Sequence, residues 1–163
     1  RPYVGMIIST RETEECRKRL LHLGVSQISG GSKTSVGGYF NPMPEDENSA
    51  QFDVSDRRPL DEVIRWLMEL GYLPSFCTSC YRNGRTGERF MEVCKSQQIH
   101  NFCHPNAILT LKEYLEDYAS PETKKIGYEL IDKETKIIEN EKIRETVEKD
   151  LVKIEAGCRD FKF

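Results

Sequence analysis

The chain has no apolar run near the ~20 residues needed to cross a bilayer, and 31% of its 163 residues are charged against 37% hydrophobic. No membrane span is therefore expected. The N-terminus, Arg1-Pro2-Tyr3-Val4-Gly5-Met6-Ile7-Ile8, lacks an initiator Met and the apolar core of a signal peptide, and reads as a cut edge that enters a strand at once. Positive charge is not in excess: 24 Lys and Arg face 27 Asp and Glu, a formal charge of −3. Nothing in that balance points to nucleic acid or anionic lipid as a partner. No Ser/His/Asp set and no identifiable carboxylate pair appears, which argues against hydrolase chemistry. The glycines at 30, 31, 37 and 38, beside Lys33 and Thr34, do not form a phosphate loop, because Ser32 occupies the position before the lysine that this motif gives to Gly.

What is present divides into α/β and helical parts. Residues 3–8 form a short apolar run suited to a buried strand. Ser9-Thr10-Arg11-Glu12 has the form of a capping box opening a helix. Cys16, Leu20, Leu21 and Leu23 make that helix's apolar stripe, Gly24 supplies its stop, and Val25–Ile28 begins a second strand. Strand, helix and strand in so short a span predict a parallel βαβ unit. A long polar stretch follows, from Ser29 to Asp56, with Pro42 and Pro44 inside it; connections of this length are usually functional or mobile. Pro59 sits at a helix start, Leu60, Val63, Ile64, Leu67 and Leu70 keep helical spacing, and Gly71 ends the run.

Residues 76–104 read as a loop-rich metal-binding segment. From Asn106 the pattern is helical, with Ile108, Leu111, Tyr114, Leu115 and Tyr118 on one stripe. Ser120-Pro121 caps and opens the next helix, and Asn140 marks a break between two more stretches of helical spacing over 121–156. The interspersed charges of this region read as a solvated helix face.

Six cysteines lie at 16, 77, 80, 94, 103 and 158. A secreted disulfide scaffold would be shorter and denser in Cys, so a reducing, cytoplasmic setting with metal-binding or catalytic thiols is expected. Cys77-Thr78-Ser79-Cys80, followed by Cys103, gives C-x2-C-x22-C. On spacing alone the metal stays open. Structural zinc needs four ligands, which Cys77, Cys80, Cys94 and Cys103 supply, or His100 or His104 in place of Cys94. Three cysteines on a [4Fe-4S] cluster leave one iron open. A thioredoxin-like pair suits the sequence least. Cys16 reads as core and Cys158 as part of a polar tail.

Three blocks, Ile8-Ser9-Thr10-Arg11-Glu12, Ile28-Ser29-Gly30-Gly31-Ser32 with Gly37-Gly38-Tyr39, and Gln51-Phe52-Asp53-Val54-Ser55-Asp56, resemble the end of the barrel in radical-SAM tyrosine lyases. With the cysteine spacing they resemble the [FeFe]-hydrogenase maturase branch of that family rather than its thiamine-pathway relatives, which lack the second cluster. The resemblance implies α/β plus α architecture: residues 1–75 as the C-terminal strand-helix units of a (β/α)8 barrel, and residues 76–163 as a mainly helical iron–sulfur domain. It implies an enzyme that cleaves L-tyrosine to p-cresol and dehydroglycine, and converts the latter to CO and cyanide bound to iron for the hydrogenase, with hydrogenase maturation proteins as partners. Cys77, Cys80 and Cys103 match the ligands of an auxiliary [4Fe-4S] cluster with an additional iron at its open site. Cys94, His100 and His104 match no ligand of the motif.

Arg11 matches an arginine that in similar lyases holds the substrate carboxylate; the alternative is a surface arginine beside Glu12 and Glu15. The C-x3-C-x2-C of the radical-generating cluster is missing. A second [4Fe-4S] cluster and S-adenosylmethionine are therefore expected in an N-terminal barrel portion. The different-class alternative is a non-catalytic zinc module whose helical tail binds a partner.

Overall fold

The computed structural model describes residues 5–40, 52–96 and 99–163. Tyr3, Pro42, Pro44 and Gln51, all singled out from the sequence, lie outside them. The chain divides into two compact units, residues 1–63 and 64–163, with the division falling inside a helix.

In the first unit, β1 (Ile7–Ile8) pairs in parallel with β2 (Gln27–Ile28), Ile7 opposite Gln27 and Ile8 opposite Ile28. Helix α1 (Glu14–His22) connects them, so the expected βαβ unit is present. Gly24 leaves α1 with a φ of +97°, the left-handed conformation that glycine adopts without a Cβ penalty. The helix start differs from the capping-box expectation. Thr13 is the N-cap, its side chain accepting from the Cys16 N–H, while Ser9 Oγ accepts from the Arg11 N–H in a turn before the helix. Both hydroxyls satisfy local backbone donors, and the four-residue turn after β1 hands the cap to the second of them.

The expected apolar stripe of α1 is narrower than its sequence. Leu21 is buried, Leu23 is 80% exposed, and the fully enclosed side chain is Arg17. Its guanidinium is ion-paired with buried Asp56 and bonded to the Ser29 carbonyl at the end of β2. Asp56 also accepts from the Arg58 Nε and Nη2 at 2.9 and 2.7 Å, and its backbone N–H donates to the Thr10 carbonyl at 3.0 Å. One carboxylate thus gathers α1, the ends of both strands and the segment that leads into α2 (Leu60–Glu69). Gly30 and Gly31 lie against the start of α2: a Cβ at 30 would stand 3.1 Å from Leu60 Cδ1, and one at 31 the same distance from the Leu60 nitrogen. The close approach these glycines permit is to their own fold.

The second unit is helical. It contains α3 (Ser79–Arg82), α4 (Gly87–Lys95), α5 (His100–Asp117), α6 (Pro121–Lys136) and α7 (Glu141–Glu155). The segment expected to be loop-rich is thus largely helical, and α5 starts six residues before Asn106. Pro105 stands inside α5. It removes one helical hydrogen bond, at roughly 3 kcal/mol in a helix interior. Packing outweighs that cost, because every residue from Pro105 to Leu109 is buried. Ser120 and Asn140 cap α6 and α7 as their sequence positions imply, accepting from the Thr123 and Ile143 N–H groups.

Ile108, Leu109, Leu111 and Leu115 of α5 pack with Ile131 and Ile138 of the α6 region and with Val147 and Ile154 of α7. Each such side chain stabilises by about 1.5–3 kcal/mol when fully removed from water. Gly127 lets α6 approach α5: a Cβ there would come 2.4 Å from Leu115 Cδ1. After α7, the tail bends back over α5. Asn106, 1% exposed, accepts from the Phe163 N–H at 2.8 Å, and Glu113 accepts from the Asp160 N–H at 2.8 Å.

Candidate functional site

The three cysteines of the spacing motif sit on separate supports within the second unit. Cys77 precedes α3, Cys80 lies in it, and Cys103 is the fourth residue of α5. Phe76 anchors the approach to Cys77, its ring stacked on Tyr114 of α5 at 5.0 Å and its N–H donating to Thr110 Oγ1 at 3.3 Å. Cys77 Sγ accepts from the Ser79 N–H at 3.4 Å, so the first turn of α3 fixes the sulfur. Cys80 is held by the turn that ends α3, where its carbonyl accepts from the Arg85 N–H at 2.8 Å.

Electrostatics link these thiols. The Cys103 thiol is pushed above its ordinary value first by local desolvation, then by the Cys80, Cys77 and Cys94 charges, while Arg85 pulls it down. A thiol whose pKa is raised stays protonated when alone, and a bound metal centre, which takes the thiolate, would displace that proton. Cys94, on α4, belongs to this neighbourhood although the motif does not include it. Among the described residues, no three His, Cys, Asp or Glu side chains converge on one point as ligands of a single ion.

The histidines are placed elsewhere. His104 Nε2 lies 2.8 Å from Glu134 Oε2 and ties α5 to α6, and His100 is an exposed residue at the start of α5. Cys16 is half-buried and Cys158 exposed. Arg85 was not legible as a site residue. Its guanidinium stacks on Phe102, next to Cys103, with its central carbon 4.9 Å from the ring centroid, and Nη2 donates to the Phe163 backbone oxygen at 2.7 Å. Its Nε is buried and has no hydrogen-bond partner among the described residues. An orphaned buried donor beside a group of thiols fits a sulfur-rich centre, whose sulfurs accept such bonds.

In the first unit, Arg11 follows β1 in an exposed turn. Its guanidinium lies over the Phe52 ring, 4.3 Å from the centroid, and it makes no ion pair with Glu12, Glu15 or any other described carboxylate. Tyr39 is exposed, its hydroxyl accepting from the Lys33 N–H at 3.2 Å.

Residues 1–73 match the Biotin and Thiamin Synthesis associated domain. Over 58 residues the chain is 40% identical to the 2-iminoacetate synthase of Escherichia coli (strain K12), a match that covers 36% of this chain and 15% of that protein. A crystal structure of HydG, a maturase of the [FeFe]-hydrogenase, aligns with 99% of this chain and 34% of its own length, at 52% identity and a TM-score of 0.90. The FeFe-hydrogenase maturase HydG from Carboxydothermus hydrogenoformans aligns with 92% of this chain and 30% of its own, at 36% identity and a TM-score of 0.65. The chain spans about a third of the length of these solved relatives. The resemblance read from the cysteine spacing and the three sequence blocks therefore holds, and the chain is related over essentially its whole length to the C-terminal part of HydG.

Proposed function

We propose that the chain is the C-terminal, cluster-bearing part of a cytoplasmic radical-SAM enzyme that cleaves L-tyrosine to p-cresol and dehydroglycine, and that it serves the conversion of dehydroglycine to CO and cyanide for the [FeFe]-hydrogenase. Residues 1–75 are the last strand-helix units of the enzyme's barrel and residues 76–163 its iron–sulfur domain. The observation that carries the reading is the match of this chain, Cys77, Cys80 and Cys103 included, to HydG over 99% of its length at 52% identity.

In this reading Cys77, Cys80 and Cys103 each give a thiolate to one iron of an auxiliary [4Fe-4S] cluster. When bound, that cluster, with an additional iron at its open site, would supply iron able to hold the diatomic products, and Cys77, Cys80 and Cys103 are the residues that would hold it. The chain's own contribution is to hold two thiolates from the α3 turn and one from α5. Arg11 grips the tyrosine carboxylate, for which a planar guanidinium is suited. The second [4Fe-4S] cluster and S-adenosylmethionine belong to the N-terminal barrel portion, and the hydrogenase maturation proteins receive the product.

The test is product analysis on the full-length enzyme. Cys77→Ala and Cys103→Ala are expected to keep forming p-cresol while CO and cyanide are lost. Loss of p-cresol in step with the diatomics, with the radical-generating cluster intact, contradicts this division of labour. Arg11→Lys is expected to raise the KM for tyrosine with cluster content unchanged, and an unaltered KM rejects the role given to Arg11.

A further inference from the structure

Arg85 touches each part that sets the spacing of the thiols. Its backbone N–H closes the α3 turn on the Cys80 carbonyl at 2.8 Å. Its guanidinium lies on Phe102, the residue before Cys103, and Nη2 holds the Phe163 backbone oxygen at 2.7 Å. Phe163 is in turn fixed to Asn106, one helical turn along α5 from Phe102. The plane of the guanidinium is therefore determined on two sides, by a ring face and by a hydrogen bond. What remains unmet is Nε–H, which is shut away from water with no partner among the described residues. A guanidinium offers donors and no acceptor, so a buried Nε–H calls for an acceptor from its surroundings. Native folds rarely leave such a donor without an acceptor. The acceptor that the surroundings imply is sulfur, since the same residue is tied to the Cys80 carbonyl on one side and lies on Phe102, the neighbour of Cys103, on the other.

We propose that Arg85 is a positioning residue of the cluster site: its Nε–H donates to a sulfur of the iron–sulfur centre held by Cys77, Cys80 and Cys103. This rests on the cluster reading above and goes beyond it, because Arg85 lies outside the cysteine motif. A hydrogen bond and a fixed positive charge both favour the reduced, more negative cluster, so they raise its reduction potential.

The experiment is an EPR-monitored redox titration of the auxiliary cluster in the full-length enzyme. Wild type is compared with Arg85→Gln, Arg85→Lys and Asn106→Ala, with iron counted in each. Arg85→Gln is expected to shift the midpoint to more negative potential and alter the g-values at wild-type iron content. Arg85→Lys, which keeps the charge without the fixed Nε–H, is expected to shift the midpoint less in the same direction. Asn106→Ala loosens the same Phe163 anchor without a change of charge, and should lower the melting temperature while leaving the midpoint in place.

A wild-type midpoint and spectrum in Arg85→Gln overturn the proposal. So does an equal shift in Asn106→Ala, which would assign the effect to anchoring. Should Arg85→Gln fail to load, Arg85→Lys decides, and a wild-type midpoint there rejects the bond. A wild-type enzyme without any cluster on these cysteines overturns the underlying reading, a result distinct from a loaded wild type with an indifferent Arg85.

Discussion

Arg17 shows how much of this fold rests on one charged side chain. It is enclosed, and its counter-charge Asp56 lies 39 residues away in sequence. A buried pair of this kind contributes little net stability against an apolar replacement, but removing one partner strands the other charge, at about 3–5 kcal/mol. Asp56→Ala is therefore expected to destabilise the first unit by about that amount, measured by urea unfolding of the full chain. A cost below about 1 kcal/mol would place the carboxylate in a solvated setting.

The pH dependence follows from the same group. Hydrogen bonds from Arg58, joined by the Arg17 and Arg58 charges, hold the Asp56 carboxyl below its ordinary 3.8 against the opposing effect of burial. A carboxyl whose folded pKa is depressed stabilises above the unfolded value and loses that contribution as pH falls through the folded one. Wild type should thus lose melting temperature on acidification below about pH 4 more steeply than Asp56→Asn. Equal slopes would contradict the assignment. None of this was legible in the sequence, where a charge on a helix flank reads as solvated and only the chain's return at Asp56 says otherwise.

Among the elements, punctuation was readable and context was not. Gly24, Gly71, Ser120 and Asn140 end or begin helices where their chemistry implies, because caps and left-handed stops are local. The start of α5 was missed for the opposite reason. The helical pattern reads from Asn106, just after Pro105, and only the burial of Pro105 to Leu109 against the other helices offsets the proline. The capping box was misplaced by four residues because two hydroxyls, Ser9 and Thr13, competed for one helix start.

Gly127 sets two effects against each other. Alanine improves helix propensity by about 1 kcal/mol over glycine, but its Cβ would meet both Leu115 methyl carbons, at 2.4 and 2.6 Å, in a side chain that is itself 0% exposed. Overpacking of a closed core costs about 1–3 kcal/mol, so Gly127→Ala is expected to lower the thermal midpoint. A raised midpoint would show that Leu115 has room to move. The cap of α7 is open to the same measurement, with Asn140→Ala expected to cost about 1 kcal/mol.

At the scale of the molecule, the cysteine spacing carried the most information, since three thiols at fixed intervals make a demand on chemistry that composition does not. What spacing could not convey is the support: the stack of Phe76 on Tyr114, the return of Phe163 to Asn106, and the unmet donor of Arg85 all arise from contacts more than 15 residues apart in sequence. Nor does spacing distinguish Cys94, which shares the electrostatic neighbourhood without belonging to the motif. The central claim is that Cys77, Cys80 and Cys103 hold an iron–sulfur cluster. Anaerobic reconstitution of the chain with iron and sulfide, followed by metal analysis and Mössbauer spectroscopy, tests it directly. About four irons per chain in a cubane signature, lost in Cys77→Ala and in Cys103→Ala, is the predicted result; one zinc per chain in tetrahedral thiolate coordination, with no uptake of iron, would contradict it.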